Sequence, residues 1–571
     1  MHDIVIRGGT IVDGTGVPAF PGDVAIDGDR IVSVGGKAGP ARRDIKADAQ
    51  LVTPGWVDPH THYDGQATWD PMLAPSSWHG VTTLMFGNCG VGFAPARKQD
   101  HNALIDLMEG VEDIPGIALA EGLKWDWESF PQFLDALDRQ PRVVDIAAQV
   151  PHHPLRVFAM GARAIRREAA TDDDIQLMRD LTEEALRAGA FGFTTSRTDQ
   201  HKTPDGELVP ARNAEAKELL GIGSALGAVG RGTFGMLSDF EDEPAEFAWM
   251  NKLAHETGRP VWFLLTDRVK DPNRLYRLIN EVHASRERGA VIVGQVAGRP
   301  VGVILGIAAT VNPFGMRPSY RKYEHLPLAE RLERLRDPVV RREILADAPS
   351  AEAIAKLPPV WQTLCNTWHS IFVLNDPPDY EPSPELSIQG IARREGLSCD
   401  EVAYDYLTAG PDQFLYFPVT NYIGGDHARV REMLLDPATI LGLSDGGAHC
   451  GAIIDAGMPS FMLTHWVRDR HRGPKLPLEM IVKRQTSEPA AFFGLPDRGK
   501  LVPGLRADVN VIDFGALRLY KPEIIHDLPA AGRRFVQRVD GYRHTLLGGI
   551  SIFESGQHTG ALPGRLLRAG R

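Results

Sequence analysis

His60 and His62 stand one residue apart in the stretch GWVDPHTHYDGQATWDP (55–71), at the end of an apolar run from Leu51 to Val57 that Asp58 closes. Residues i and i+2 of a strand face the same side, so the two imidazoles are aimed at one point. Cys89 ends a second apolar run, TTLMFGNCGVGFAP (82–95), and Asp445 ends a later one in LGLSDGGAH. Imidazole, thiolate and carboxylate are the side-chain donors that zinc takes. Each also has an ordinary reading: an exposed histidine pair, a small buried hydrophobe, an Asp-Gly-Gly turn. Their shared position at strand ends points to a divalent metal site.

The surrounding elements have to bring these side chains together. From about 55 to 490, short apolar runs alternate with amphipathic helices. DIQLMRDLTEEALRAG (174–189) predicts a helix with Ile175, Met178, Leu181 and Ala185 on one face, Thr171 as its cap and Gly189 as its stop. The runs GAFGFTTSR (189–197), GTFGMLSD (232–239), PVWFLLTD (260–267), AVIVGQVAG (290–298), QFLYFPVTN (413–421) and TILGLSDGGAH (439–449) predict strands. Such alternation indicates parallel βα units, and roughly eight of them favour a barrel. In a closed barrel the first and last strands are neighbours, so His60, His62 and Asp445 converge at the C-terminal strand ends.

Residues 1–54 and 491–571 read differently. IVIRGGTIVDGTG (4–16), GDVAIDGDRIVSVG (22–35) and GKLVPGLRADVNVIDF (499–514) carry strand alternation and Gly-containing turns. Both ends are expected to pair in one small β domain, with the catalytic barrel spanning 55–490. A Pro- and Arg-rich stretch at about 312–385 reads as an insertion on the loop face.

The composition is that of an ordinary globular protein, with 43% hydrophobic and 24% charged residues, which sets aside disordered and fibrous classes. A net charge of −12 with no long basic cluster makes nucleic acid and anionic membrane poor partners; a small-molecule substrate is the expectation that goes with the strand-end site. Four scattered cysteines, Cys89, Cys365, Cys399 and Cys450, form neither a disulfide framework nor a CxxC pair. Without a signal sequence or an apolar span of about 18 residues, the cytoplasm is the expected location.

Taken together, DIVIRGGTIVDGTG, LVTPGWVDPHTHYDGQATWDP, GNCGVGFAP, EGLKWDWESFPQFLDAL, LSDGGAH, TSEPAAFFGLPDRGKLVPGLRADVNVID and DLPAAGRRFVQR resemble the amidohydrolase superfamily, and within it the D-aminoacylases. The resemblance runs over nearly the whole chain. It implies a distorted (β/α)8 barrel with a small β-sandwich built from both termini. It also implies that His60, His62, Cys89 and Asp445 surround one or two zinc ions. The activity it implies is metal-assisted hydrolysis of an N-acyl-D-amino acid or related N-acyl compound, with Asp445 as general base and acid.

The chain departs from that family at the ends of strands five and six, where histidines are expected. Ser238 and Asp239, then Thr266 and Asp267, stand there instead. Three arrangements stay open: one ion on His60, His62 and Asp445; Asp239 or Asp267 in place of the imidazoles; or no metal. The first is favoured, one ion rather than two, with zinc the expected metal. His152, His153, Arg156, Ser196, Arg197 and His201 are candidates for holding substrate, the two arginines because a guanidinium binds a carboxylate in parallel. His449 either orients the site or caps a following helix. GLSDG (442–446) also fits a serine-nucleophile elbow at Ser444. A cyclic amide hydrolase and a non-hydrolytic descendant of the barrel are the remaining alternatives.

Overall fold

The computed structural model describes residues 1–356, 362 and 367–570; Cys365 and part of the 312–385 stretch lie outside the described residues. Among the described residues, the apolar runs of the middle region include eight short parallel strands, one of them interrupted. They are β1 (Trp56–Asp58), β2 (Val81–Phe86), β3 (Asp145–Ala148, resuming at Val150–Pro151), β4 (Gly192–Arg197), β5 (Thr233–Ser238), β6 (Val261–Leu264), β7 (Ile292–Val296) and β8 (Thr439–Leu441). β1, β2 and β3 make one parallel sheet, and the resumed part of β3 leads a second in the order β3-β4-β5-β6-β7-β8. Gln149 alone separates the two parts of β3, and beyond β1 Thr61 forms a parallel bridge with Gly446, beyond β8. The arrangement is TIM-barrel-like, and its strands are buried almost throughout, as parallel strands covered on both faces must be.

Helices connect the strands: α1 (His101–Glu112), α2 (His152–Met160), α3 (Asp172–Ala188), α4 (Ala216–Val229), α5 (Glu243–Thr257) and α6 (Arg274–Glu287). α3 forms as its sequence predicts. Thr171 Oγ1 accepts from the Asp174 amide while the Asp174 carboxylate accepts from the Thr171 amide. Such a cap is worth about 1 kcal/mol. Gly189 ends the helix at φ 122°, and Ile175, Met178, Ala185 and Leu186 are buried.

The run at 413–421 departs from expectation. Leu415–Pro418 pairs antiparallel with Gly302–Leu305 and with Phe372–Val373, outside the parallel sheets. A short apolar run shows burial but not the direction of its partner. These strands belong to a separate apolar cluster between β7 and β8 that includes Phe314, Leu335, Ile371, Ile388 and Leu407. That cluster takes in residues on both sides of the 312–385 stretch.

The two chain ends meet in one nine-stranded sheet. Val509–Ile512 runs antiparallel to Leu51–Pro54, which pairs in turn with His2–Ile11. Ile6, Val24, Ile26, Val52, Val509 and Leu546 form its core. Among the described residues, no helix is long and apolar enough to cross a membrane.

Candidate metal centre

The ends of β1, β2 and β8 hold the donors, and backbone contacts fix their spacing. The His62 amide donates to the Gly446 carbonyl at 2.7 Å, and the Asp445 amide donates to the His60 carbonyl at 3.2 Å. Gly447 follows at φ 91°, where a Cβ would lie 3.0 Å from the His62 carbonyl group. Gly87, at φ 82°, lets the chain leave β2 against β3; a Cβ there would sit 2.2 Å from the Gln149 oxygen. Cys89, Asp445 and His449 themselves take left-handed backbone conformations, at φ 53°, 49° and 53°. Such positions cost about 1–3 kcal/mol each and cluster at functional sites.

The side chains converge. Asp445 Oδ1 lies 3.5 Å from His60 Nε2 and 3.4 Å from His62 Nε2, and Cys89 Sγ lies 3.5 Å from His60 Nε2. A tetrahedral ion with bonds near 2.1 Å spaces N and O donors about 3.4 Å apart, so the two Asp445–imidazole edges suit one ion, and Cys89 forms with both imidazoles a group whose donor atoms lie within 4.8 Å of one another. His60 Nδ1, on the far side of its ring, meets Gln295 Oε1 at 2.6 Å. An accepting amide oxygen there requires Nδ1–H and leaves the Nε2 lone pair facing Asp445. Burial lowers the pKa of His60 to about 4 and of His62 to about 3, so both rings are neutral and able to ligate at neutral pH.

Among the described residues, no Lys or Arg is ion-paired with the acidic groups of this cluster. Glu112, the last residue of α1, is buried beside the pair, with Oε1 3.4 Å from His62 Nδ1 and Oε2 3.5 Å from His449 Nε2. Burial pushes the Glu112 carboxyl and the Cys89 thiol well above their usual ranges, and neighbouring carboxylates, Asp445 and Asp64 among them, push further. Among the described residues, the ion-pair partners of Asp445 and Glu112 are imidazoles alone. Two other donor groups differ. Glu381, with His427 and His465, is gripped by Arg470 at 2.9 Å, and Asp199, Asp239 and Glu241 face Arg212 and Arg268. Those clusters contain their own counter-charge; the His60–His62–Cys89 cluster does not. A divalent cation fits its donor chemistry.

The remaining expected residues have other partners. His152 Nε2 and the Arg156 guanidinium both bind Glu218, at 3.0 and 2.8 Å, and Arg156 also donates to the Pro210 and Glu168 carbonyls. Arg156 is fully buried, one turn inside α2 rather than at a strand end. Arg197 donates from Nη1 to both oxygens of Glu246, at 2.8 and 2.9 Å. Ser238 donates to the same Glu246, Asp239 bonds Thr198 and Arg268, and Asp267 accepts from the Asn421 amide. None of these three is hydrogen-bonded to His60 or His62.

His153, Ser196 and His201 form a chain. The Ala211 amide donates to His153 Nδ1, so His153 donates from Nε2 to Ser196 Oγ, which donates to His201 Nδ1, each of the last two contacts at 3.0 Å. His201 therefore carries its proton on Nε2. Burial lowers its pKa to about 3, with His449 and His62 among the neighbours that add to the shift. His449 caps no helix, since the next one starts at Met458, and its ring turns to Glu112. Ser444 donates to Asp58 Oδ2, a carboxylate rather than the imidazole a serine nucleophile requires. Tyr63 is wholly buried, bonded to Ser76, and Trp69 is half-buried against the main core.

Glu112 and Gln295 were not among the residues the sequence singled out, although both left a signal. Glu112 continues the buried helical spacing of Leu104 and Met108. Gln295 is the polar residue in the apolar run of β7.

This strand-end cluster, set on a TIM-barrel-like sheet with an added β domain, defines a hydrolase of the metal-centred α/β class. The chain belongs to the amidohydrolase family, whose model matches residues 45–553. A D-aminoacylase of Alcaligenes xylosoxydans xylosoxydans is 27% identical over 573 residues, covering 99% of this chain and 97% of that protein. A D-aminoacylase structure described for its binuclear metal centre shares the fold, with a TM-score of 0.65 at 24% identity over the full length of both chains. The crystal structure of N-acyl-D-glutamate deacylase from Bordetella bronchiseptica, complexed with zinc and a phosphonate inhibitor, gives 0.63 at 25% identity, again over both full chains.

Proposed function

We propose that this chain is a metal-dependent hydrolase that cleaves the amide C–N bond of N-acyl-D-amino acids or related N-acyl compounds. The observation that carries the reading is the convergence of His60, His62 and Asp445, whose carboxylate has, among the described residues, only imidazoles as its ion-pair partners. His60, His62 and Asp445, with Cys89, would hold one divalent ion, zinc by donor type. A second ion is not proposed, because Ser238 and Thr266 replace the histidines it would need. When bound, the cation supplies Lewis acidity, lowering the pKa of water and polarising the amide carbonyl. Asp445 accepts the proton that the attacking water gives up and returns it to the departing amine nitrogen. His201, with its proton held on Nε2 by the Ser196 chain, is a neutral donor for substrate oxygen.

The proposal extends to the architecture. The two parallel sheets are read as one closed, distorted eight-stranded ring, joined at Gln149 and at the Thr61–Gly446 bridge. Its domain runs from 55 to 490, and 1–54 with 491–571 forms the β-sandwich. A second substrate reading is favoured by the two arginines. Arg156 and Arg197 are both engaged by carboxylates, so neither is free to grip a substrate carboxylate. That favours N-acyl compounds lacking one, or cyclic amides. Zinc-loaded protein tested on N-acyl-D-amino acids, their L forms, uncharged N-acyl amines and cyclic amides separates these readings. Amine release from the D forms supports the first, and activity confined to the uncharged or cyclic compounds supports the second. Hydrolysis of none of them sinks both.

A further inference from the structure

Glu112 does not belong to the donor set proposed for the ion, yet it is buried and turned toward His62 and His449. Its Oε1 lies 3.4 Å from His62 Nδ1 and its Oε2 lies 3.5 Å from His449 Nε2. The opposite nitrogen of His62 faces Asp445 at 3.4 Å, so this ring is flanked by a carboxylate at each nitrogen. His62 Nδ1 is buried and has no hydrogen-bond partner. His60 shows what such a nitrogen receives in this fold: its own Nδ1 meets Gln295 Oε1 at 2.6 Å. A ring that ligates through one nitrogen almost always donates from the other to a carboxylate, a carbonyl or water.

We infer that Glu112 is the positioning residue for His62. It accepts from Nδ1–H, which fixes the tautomer that leaves the Nε2 lone pair toward Asp445. Its second oxygen faces His449 Nε2. The two ligand rings are thus oriented from behind by unlike groups, Gln295 from β7 for His60 and Glu112 from α1 for His62. This inference rests on the proposal that His60 and His62 hold a divalent ion.

Zinc titration of the full-length protein tests it, read alongside the melting temperature of the metal-free form. E112L removes the acceptor while filling its space, and should weaken zinc binding by about 10- to 100-fold. E112Q, which keeps an accepting oxygen without the charge, should fall between E112L and wild type, at least about threefold weaker than wild type. The metal-free melting temperature should not fall, because an apolar group replaces a buried carboxylate that lacks a cationic partner. Zinc affinity of E112L within about twofold of wild type overturns the inference, and so does an affinity loss explained by a matching fall in metal-free stability. If E112L does not fold, E112A, which also removes the acceptor, decides: unchanged affinity overturns the role. Wild-type protein that takes up two ions while E112L takes up one would make Glu112 a ligand and also overturn it. Wild-type protein that takes up none would instead sink the proposed metal centre.

Discussion

Gln295 on β7 holds His60 at the end of β1 by a 2.6 Å contact from its amide oxygen to Nδ1. The contact spans 235 residues of sequence and sets which nitrogen of His60 carries the lone pair. Q295L should weaken zinc binding by about 10- to 100-fold, the usual effect of removing such a partner. Q295E, which keeps an accepting oxygen, should bind within about tenfold of wild type. Competitive zinc titration of the two variants checks the order; equal affinities for Q295L and wild type would contradict the role.

The proposed function assigns Asp445 the transfer of a proton between water and amine. D445N should lower turnover by about 10²- to 10⁴-fold, the range for loss of a general acid–base group. Zinc should bind more weakly but still load at saturating metal, because His60, His62 and Cys89 stay in place and the asparagine amide keeps an oxygen donor. Metal analysis and turnover on the same preparation check this, and near-normal turnover would contradict it.

The position of Arg156 makes it a stability element. R156M leaves Glu218 buried without the guanidinium, and loss of one partner of a buried pair costs about 3–5 kcal/mol. A markedly lower melting temperature with an unchanged KM is expected. A raised KM in protein of unchanged stability would return Arg156 to substrate binding.

His79 gives a test by pH away from the donor cluster. It is buried, with Nδ1 2.8 Å from Ser460 Oγ and Nε2 3.0 Å from the Gln537 carbonyl, and burial lowers its pKa to about 4. Unfolded, it takes up a proton near its ordinary 6.5. Its favourable contribution is therefore complete above pH 6.5 and declines as pH falls toward 4, because only the unfolded chain gains the proton. The stability gap between wild type and H79Q should shrink on that descent by on the order of 2–3 kcal/mol. Thermal unfolding of both proteins from pH 7 to pH 4.5 measures it, and a constant gap would contradict the assignment.

Much of the fold could be read along the chain because its signals are local. The 3.6-residue apolar spacing and the Thr171 and Gly189 ends specify α3, and alternation with Gly turns marks the terminal strands. The run at 413–421 was misplaced because burial makes a strand apolar whether its neighbours run parallel or antiparallel. Arg156 and Arg197 look free in sequence, since their partners Glu218 and Glu246 lie 62 and 49 residues away.

The sequence by itself determined the donor types, their placement at strand ends, and the absence of histidine from the ends of β5 and β6. These follow from residue identity and from periods of two or 3.6, which act over a few neighbours. Only the tertiary structure decided that Asp445 meets both imidazoles, that Gln295 and Glu112 stand behind them, and that the arginines are already engaged. Those contacts depend on the order in which distant strands and helices pack, and pairwise geometry across hundreds of residues leaves no periodic trace in the chain.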